Sequence, residues 1–345
     1  HQGAGYLPVE DPEINRLYSE FYGKNVPGKT GYRIPEMFKA SEKGDLKAMW
    51  VIGEDLLQTD PNTCHVRNAL QSLEFLVVQE LFMTDTARIA DVVLPASSFL
   101  EKEGTFTNGE RRIQRVNRVV DPLPGTKPDG QIITEIMNRM GWRQEEYHPS
   151  TALREISRIV PFFKGVRWEE LGINGKQWPV NEDGSETLIL HKESFKRGKG
   201  RFHVWDFEET DELQTYSAEY PYILTTGRIL EHYNSGSMTR RTPNGQLVTE
   251  DILYINPGDA GKKGISDGDF VSIYSSRGRT VMKSRISDVV KPGVVYTTFH
   301  FPEASINYLT SGIADEFTLT PEYKVVAVNF EKSLFGRLSY PGCEP

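Results

Sequence analysis

The chain has 345 residues, of which 38% are apolar, and this length and composition are typical of about two domains with hydrophobic cores. Forty basic residues against forty-eight acidic ones leave a formal charge of −8, which argues against nucleic-acid binding. No apolar run reaches the length of a membrane-spanning helix, so the sequence predicts no membrane segment.

Helices and apolar strands alternate in the first half of the chain. The predicted elements are helices at Pro12–Tyr22, Pro35–Lys43, Asn62–Ser72 and Gly130–Met140, with strands at Ala48–Ile52, Phe75–Val78 and Asp91–Leu94. Apolar strands separated by helices are typical of a parallel sheet covered on both faces. We therefore predict a connecting segment over residues 1–45 and a partial, Rossmann-like α/β domain over residues 46–148.

The second half has a different pattern. Residues 149–217 lack strong periodicity, and we interpret them as an irregular connection. Over residues 218–333, short strands such as Arg279–Ile286 alternate with turns that contain glycine, and Asn256–Pro257 has the features of a helix start. This pattern predicts a small, mostly-β barrel, followed by a tail over residues 334–345.

The cysteines and histidines offer no metal site. Cys64 and Cys343 lie far apart and form no CxxC pair, so neither an iron–sulfur cluster nor a structural zinc is expected. Cys64 is adjacent to His65 in a predicted helix, where neighbouring residues do not face each other, and we interpret Cys64 as structural. The chain begins with His1 and not with methionine, which is typical of a processed chain or a fragment.

Polar residues follow the first two predicted strands. Gly53, Glu54 and Asp55 come after one strand, and Gln79 and Glu80 come at the end of the next. Ligands of open parallel sheets bind beyond the carboxyl ends of the strands, so these positions are candidates for nucleotide contacts.

The segment Thr225–Arg241 is the most informative part of the chain. It follows the apolar run Tyr222–Leu224, and Gly227 would let its backbone approach a ligand closely. Arg228 offers a forked donor for phosphate, and residues 232–235 supply donors and acceptors at successive positions. The composition suits a large, polar, anionic heterocycle, and a well-satisfied polar loop is the alternative.

This segment resembles the pterin-binding stretch of the molybdenum or tungsten bis(molybdopterin guanine dinucleotide) oxidoreductases, the family of dimethyl sulfoxide reductase, formate dehydrogenases and nitrate reductases. Residues 84–95, 101–112, 299–307 and 320–324 resemble other motifs of this family in the same order. The stretches Glu103–Asn108 and Phe299–Ala304 are most similar to formate dehydrogenase α subunits.

The resemblance implies a six-stranded double-psi barrel in the second half, and it implies a set of cofactor-binding residues. These are Gly53, Glu54, Asp55, Gln79, Glu80, Thr84, Lys102, Asp129, Thr226, Gly227, Arg228, His232, Tyr233, Asn234, Ser235, Phe299, Asn307, Tyr323 and Lys324. Asp129 matches the aspartate that contacts guanine in the family, whereas its position before a predicted helix is also typical of an N-cap.

The function implied is the two-electron oxidation of formate to carbon dioxide at molybdenum or tungsten held by bis(molybdopterin guanine dinucleotide). The family's [4Fe–4S] cysteines, metal ligand and substrate-binding residues lie upstream of the matched region. We therefore expect no catalytic residue and no protein metal ligand in this chain, and we predict that the chain alone is inactive.

The expected partners are the N-terminal part of the same catalytic subunit and iron–sulfur electron-transfer subunits. The expected location is the cytoplasm, or the periplasm if the upstream part carries a twin-arginine signal. Two alternatives stay open: the C-terminal part of a nitrate reductase-type molybdoenzyme, and a non-catalytic scaffold of the same fold. An NAD-binding dehydrogenase is disfavoured because no GxGxxG motif follows any strand.

Overall fold

The computed structural model describes residues 2–334, 336 and 343. The chain forms two compact units, one of His1–Tyr32 with Leu94–Trp205 and the other of Arg33–Val93 with Asp206–Pro345, which we call the first and the second unit. The predicted α/β segment, residues 46–148, is thus shared between the two. Most of the predicted tail, residues 334–345, lies outside the described residues. None of the described helices has both the length and the apolar character needed to cross a membrane.

The helices, in chain order, are α1 (Pro12–Tyr22), α2 (Ile34–Glu42), α3 (Leu56–Thr59), α4 (Thr63–Gln71), α5 (Asp85–Arg88), α6 (Asp129–Arg139), α7 (Pro149–Ile159), α8 (Asp211–Tyr216), α9 (Asn244–Leu247) and α10 (Pro257–Lys262). The strands are β1 (Ala48–Ile52), β2 (Phe75–Glu80), β3 (Val92–Pro95), β4 (Gly104–Thr107), β5 (Arg112–Val116), β6 (Lys176–Gln177), β7 (Tyr222–Gly227), β8 (Ile252–Ile255), β9 (Phe270–Ser275), β10 (Gly278–Ile286), β11 (Val294–Thr298) and β12 (Val326–Lys332).

The predicted parallel pairing of the first two strands is confirmed. Strands β1 and β2 run parallel, with Ala48 opposite Phe75 and Ile52 opposite Gln79, and the sheet has the order β1-β2-β3. Val66 and Ala69 of α4 are fully buried and belong to the same core as Val78 of β2. Because β1 and β2 are parallel, their carboxyl ends lie at one edge of the sheet.

Six strands of the second unit close into a barrel with the order β10-β8-β11-β7-β12-β9. Strand β7 pairs in parallel with β11 and antiparallel with β12. Alternate residues fill the interior, and Leu224, Ile273, Met282 and Phe330 are fully buried there. The six-stranded barrel is confirmed, and its double-psi connectivity stays a prediction.

The first unit corrects the prediction of an irregular connection over residues 149–217. Helix α7 occupies 11 residues of that stretch, with Pro149 in its first turn, where proline is favoured. Leu153, Ser157 and Ile159 of this helix are buried. Leu153, Ile156 and Ile159 recur every three residues, a helical spacing that the prediction overlooked among the charged and hydroxyl residues between them. The same unit holds a small antiparallel sheet of β4, β5 and β6.

The two cysteines, which the sequence analysis treated as isolated, form a disulfide bond between Cys64 in α4 and Cys343. This bond agrees with the structural role predicted for Cys64. The separation of 279 residues between the two cysteines explains why spacing gave no signal of the pairing.

Candidate functional site

The carboxyl ends of β1 and β2 are adjacent, as predicted. The backbone N–H of Gly53 donates to the carbonyl oxygen of Gln79 over 2.9 Å. Gly53 has a φ of 63°, a left-handed conformation that favours glycine. Glu54 is exposed, whereas burial raises the pKa of the Glu80 carboxyl, and the charges of Asp55 and Glu54 raise that pKa further.

Asp55 and Thr84 hold the start of helix α5. The Asp55 carboxylate accepts hydrogen bonds from the backbone N–H of Thr86 over 3.0 Å and from its hydroxyl over 2.7 Å. The Thr84 hydroxyl accepts the N–H of Ala87 over 3.2 Å as an N-cap. Both side chains are buried. They therefore support this edge of the sheet, and their contact with a cofactor stays a prediction.

The end of β7 is closely packed. A Cβ atom at Gly227 would lie 2.3 Å from the phenol oxygen of Tyr296, so a larger residue would displace that ring. The Thr226 hydroxyl donates to the carbonyl oxygen of Tyr323 over 3.1 Å, and the Lys324 ammonium donates to the carbonyl oxygen of Thr226 over 2.6 Å. These bonds bring Lys324 next to the segment that begins with Thr225.

Arg228, Phe299 and Lys324 form a group that we call the cationic cluster. The guanidinium carbon of Arg228 lies 5.8 Å from the centre of the Phe299 ring, and the ammonium nitrogen of Lys324 lies 5.7 Å from it. Burial lowers the pKa of Lys324, and the charge of Arg228 lowers it further. Neither cation forms an ion pair with another described residue. The cluster is therefore suited to an anion that carries a flat ring system.

Asp251 and His300 hold the loop that carries Phe299, and sequence reasoning identified neither of them. The buried Asp251 carboxylate accepts bonds from the Thr298 hydroxyl, from the N–H of His300 over 3.2 Å and from the N–H of Phe301 over 3.0 Å. Burial raises the pKa of this carboxyl. The Nδ1 atom of His300 lies 2.5 Å from the carbonyl oxygen of Asn234, which joins this loop to the segment after β7.

His232 is part of the support of that segment. Its Nδ1 lies 3.1 Å from the Thr239 hydroxyl, and its Nε2 lies 3.0 Å from the carbonyl oxygen of Val248. Because a carbonyl only accepts, Nε2 donates to Val248. His232 is also buried, so both ring nitrogens are used within the loop. Its contact with a cofactor stays a prediction that this arrangement does not favour.

The residues that follow His232 face solvent. Tyr233 is 65% exposed, and Asn234 is also exposed with a left-handed φ of 47°. The carbonyl oxygen of Ser235 accepts a bond from the side-chain amide of Gln58 in α3 over 2.7 Å. Gln58, which the sequence analysis did not single out, therefore ties this loop to the segment after β1.

Asn307 and Tyr323 also donate hydrogen bonds to the segment after β1, and they come from other parts of the second unit. The Asn307 amide donates to the carbonyl oxygen of Gln58 over 2.7 Å, and the Tyr323 hydroxyl donates to that of Thr59 over 3.2 Å. The segment after β1 is thus hydrogen-bonded to Ser235, Asn307 and Tyr323, which are three of the predicted site residues.

Asp60 is a further acidic group at this place, and sequence reasoning missed it. Burial raises its pKa to about 7, and the charge of Glu54 contributes to the rise. The pKa of the Tyr323 hydroxyl is also raised, chiefly by burial and then by the charges of Asp60 and Glu54. Asp60 can therefore hold or release a proton near neutral pH.

Lys102 and Asp129 lie in the first unit, where they form an ion pair. Asp129 begins α6, but Pro128 occupies the N-cap position, so the alternative role of Asp129 as an N-cap is not observed. A cavity of about 240 Å³ is lined by this pair together with aromatic side chains, among them Tyr147 and Phe106. A Cβ atom at Gly130 would lie 2.2 Å from the Tyr147 ring, so glycine permits that ring to reach the cavity.

Two family models match the chain, one over a range that contains Lys102 and Asp129 and one over a range that contains the cationic cluster. Residues 6–139 match the family model described as molybdopterin oxidoreductase, and residues 222–327 match the model described as Molydopterin dinucleotide binding domain. The chain belongs to the molybdopterin oxidoreductase family. The second match contains β7, the segment that follows it and Asn307, and it includes Arg228, Phe299 and Lys324.

Relatives of known name give a finer comparison. The F420-dependent formate dehydrogenase subunit alpha of Methanocaldococcus jannaschii is 40% identical over 332 residues, which are 95% of this chain and 49% of that protein. The F420-dependent formate dehydrogenase 2 subunit alpha of Methanococcus maripaludis is 42% identical over 335 residues, with the same shares. A probable oxidoreductase of Bacillus subtilis is 40% identical over 33% of its own length. The chain spans half or less of the length of these relatives.

Among solved structures, acetylene hydratase from Pelobacter acetylenicus matches with a TM-score of 0.68 and 19% sequence identity. The match covers 94% of this chain and 50% of the hydratase. At this level of identity, the similarity shows a shared fold and carries no statement about the reaction.

Proposed function

We propose that this chain is a cofactor-binding part of a formate dehydrogenase catalytic subunit and that it binds molybdopterin guanine dinucleotide. The cationic cluster carries the proposal, because Arg228 and Lys324 present unpaired positive charge beside the Phe299 ring, inside the range matched by the dinucleotide binding model. The formate dehydrogenase assignment is supported by relatives of that name that are 40% and 42% identical.

The side chains of the second unit fit the anionic part of such a cofactor. Phosphate and pterin oxygens are acceptors that a guanidinium and an ammonium group bind well. The lowered pKa of Lys324 reflects a partly buried cation beside a second cation, and a bound anion would relieve this repulsion. The Tyr296 ring fills the space that a Cβ atom of Gly227 would occupy, so the close approach of a ligand to this backbone stays a prediction.

The aromatic cavity of the first unit fits the base of the nucleotide. A carboxylate such as that of Asp129 can accept two hydrogen bonds from the N1–H and N2–H₂ groups of guanine. Lys102 forms an ion pair with this carboxylate and lies beside it in the lining of the cavity. Tyr147 and Phe106 supply flat apolar surfaces on the same cavity, against which a purine ring can stack.

When bound, two such dinucleotides with molybdenum or tungsten would supply the two-electron chemistry that converts formate to carbon dioxide. We assign to this chain the binding and orientation of the cofactor and not the reacting residues. Those residues, the [4Fe–4S] cluster and the route to iron–sulfur partner subunits belong, in this proposal, to the remainder of the catalytic subunit in the cytoplasm. The double-psi form of the barrel is part of the same proposal.

The first experiment measures the cofactor directly. The chain is produced in a host that synthesises molybdopterin guanine dinucleotide and is purified, and its pterin and guanosine monophosphate are then measured after acid release. We expect pterin and nucleotide in equal molar amounts. A correctly folded chain that retains neither compound would contradict the proposal.

A second experiment separates binding from turnover. We expect the purified chain to show no formate-dependent dye reduction, and we expect co-production with the remainder of the subunit to restore it. Turnover by the chain alone near the enzyme median of roughly 10 s⁻¹ would show that reacting residues are present here.

A further inference from the structure

Helix α7 contributes to two different cavities of the first unit. Leu153 and Ile156 line the aromatic cavity that also contains Asp129. Arg154 and Arg158 line a second cavity of about 280 Å³. Residues three and four positions apart share a face of a helix, so these two pairs lie on different faces of α7. The second cavity shares no lining residue with the site proposed for guanine.

The second cavity has a strongly basic lining. Its cationic residues are Arg154, Arg158, Lys164 and Arg167. Lys164 pairs with Glu182 over 3.2 Å, and Glu169 is the one acidic residue of the lining. The three arginines form no ion pair with any residue in the described part of the chain. The whole chain has a formal charge of −8, so the positive charge of this cavity is opposite in sign to the net charge of the protein.

Neutral contacts hold two of the guanidinium groups in place. The Arg167 Nη1 donates to the carbonyl oxygen of Lys164 over 2.6 Å. The guanidinium carbon of Arg158 lies 5.2 Å from the centre of the Phe21 ring. Each contact restricts the side chain without neutralising its charge and leaves other N–H donors of the fork available. Arg158 and Arg167 are therefore oriented in part before an anion binds.

The floor of the cavity is rigid. Ser157 is buried, and its hydroxyl contacts the carbonyl oxygens of Leu153 over 2.8 Å and of Val166 over 3.0 Å. Trp168 is also buried and forms part of the lining. A rigid floor with an exposed basic rim favours a compact ligand over an extended one.

We propose that this cavity binds a small anion that carries two or more phosphate groups. Arginine forks bind phosphate oxygens in pairs, and three arginines around one concavity match a ligand with several such oxygens. The volume is near the lower end of the range for small-molecule sites. The proposal is independent of the formate dehydrogenase assignment, because it uses neither the cationic cluster nor the Lys102–Asp129 pair.

The test is calorimetric titration of the purified chain with inorganic pyrophosphate at low salt. We expect saturable binding of one pyrophosphate at this cavity, with an affinity that falls as salt is added. Arg158→Gln and Arg167→Gln should each weaken binding about tenfold, as expected for the loss of a charge-assisted hydrogen bond. Arg158→Lys should also weaken it, because the charge is kept but the fork is lost.

Two controls show which part of the chain binds the probe. Arg139→Gln removes one exposed positive charge elsewhere in the first unit and should leave the affinity unchanged. Arg228→Gln reports any pyrophosphate bound by the cationic cluster and should leave the binding at this cavity unchanged. Arg158 and Arg167 are exposed, so the variants at these positions should stay folded. Near-ultraviolet circular dichroism of each variant checks this.

Three results would overturn the proposal. The first is the absence of saturable binding by the folded chain. The second is an equal loss of affinity in Arg139→Gln, or a loss confined to Arg228→Gln. The third is binding of a polyglutamate peptide without binding of pyrophosphate, which would assign this basic surface to an acidic protein partner.

Discussion

The ammonium nitrogen of Lys324 lies 2.6 Å from the carbonyl oxygen of Thr226, and this bond places a cation at the end of β7. The barrel holds a second lysine in similar surroundings. Lys263 lies 5.0 Å from the centre of the Phe330 ring and 2.9 Å from the Asn329 side-chain oxygen, and burial lowers its pKa also. The two differ in their charged neighbours, since acidic groups act on Lys263 whereas Arg228 acts on Lys324.

This difference predicts that the two lysines contribute differently to stability. Lys324→Met removes a cation that Arg228 repels, whereas Lys263→Met removes a cation that acidic neighbours attract, so Lys324→Met should be the more stable of the two variants. Because the folded pKa of Lys324 is lowered, the unfolded state binds more protons as pH approaches 10.5, so this lysine's contribution to stability rises with pH there. Urea unfolding at pH 8 and pH 10 measures both effects, and a less stable Lys324→Met than Lys263→Met would contradict them.

Asp60 predicts a dependence of stability on pH in the acidic range. Its folded pKa is about 7 against an ordinary value of 3.8, so the folded state binds more protons between these values and stability falls as pH rises through them. Asp60→Asn should remove this slope and make the chain more stable at pH 8 by about 2 kcal/mol. This gain is smaller than the free energy that corresponds to the whole pKa shift, because the side chain is only partly buried and solvent screens its charge. Urea unfolding between pH 4 and pH 8 tests this.

Asp288→Asn, at an exposed aspartate of the same unit, is the matched control for Asp60 and should keep the wild-type slope. Glu54→Gln should reduce the slope in part, because the charge of Glu54 contributes to the raised pKa of Asp60. An unchanged slope in Asp60→Asn would show that this carboxyl does not titrate as described.

Asp251 should be essential for the loop that carries Phe299. Its carboxylate accepts three hydrogen bonds, from Thr298, His300 and Phe301, whereas an asparagine has one acceptor oxygen. Asp251→Asn therefore leaves a buried N–H without a partner, and we expect a loss of about 1–3 kcal/mol in the free energy of unfolding. Thr298→Val, which removes one donor and keeps the carboxylate, should cost less. Equal stability of Asp251→Asn and wild type in urea would refute this role.

The sequence predicts the elements better than the contacts between them. The bounds of α1 and β1 agree with the prediction because proline, glycine and a continuous apolar run mark them locally. Gln58 and Asp251 gave no signal, because their importance comes from partners 177 and up to 50 positions away. Phe299 and Lys324 were named as site residues through family motifs, and Arg228 also through its local pattern, but no pattern predicted that the three side chains lie together.

The aromatic cavity predicts selectivity for guanine. Asp129→Asn should weaken binding of guanosine monophosphate to the chain about tenfold, because an amide cannot accept both hydrogen bonds from the guanine edge. Adenosine monophosphate, which lacks those two donors, is the matched control ligand and should bind weakly to both proteins. Titration followed by calorimetry measures the affinities. Equal affinity of the wild type for the two nucleotides would count against guanine recognition at Asp129.

The central claim is that the cationic cluster holds the pterin cofactor, and a matched pair of double variants tests it most directly. Arg228→Gln with Lys324→Met removes the cluster. Arg279→Gln with Lys263→Met removes the same two charges at separate places in the barrel, because Arg279 lies 5.6 Å from the Tyr274 ring centre and Lys263 lies 5.0 Å from that of Phe330. The measurement is the pterin content of each purified protein after production in a host that makes the cofactor. We predict a loss of pterin of about tenfold or more in the first variant and near wild-type content in the second. Equal pterin content in the two folded variants would contradict the claim.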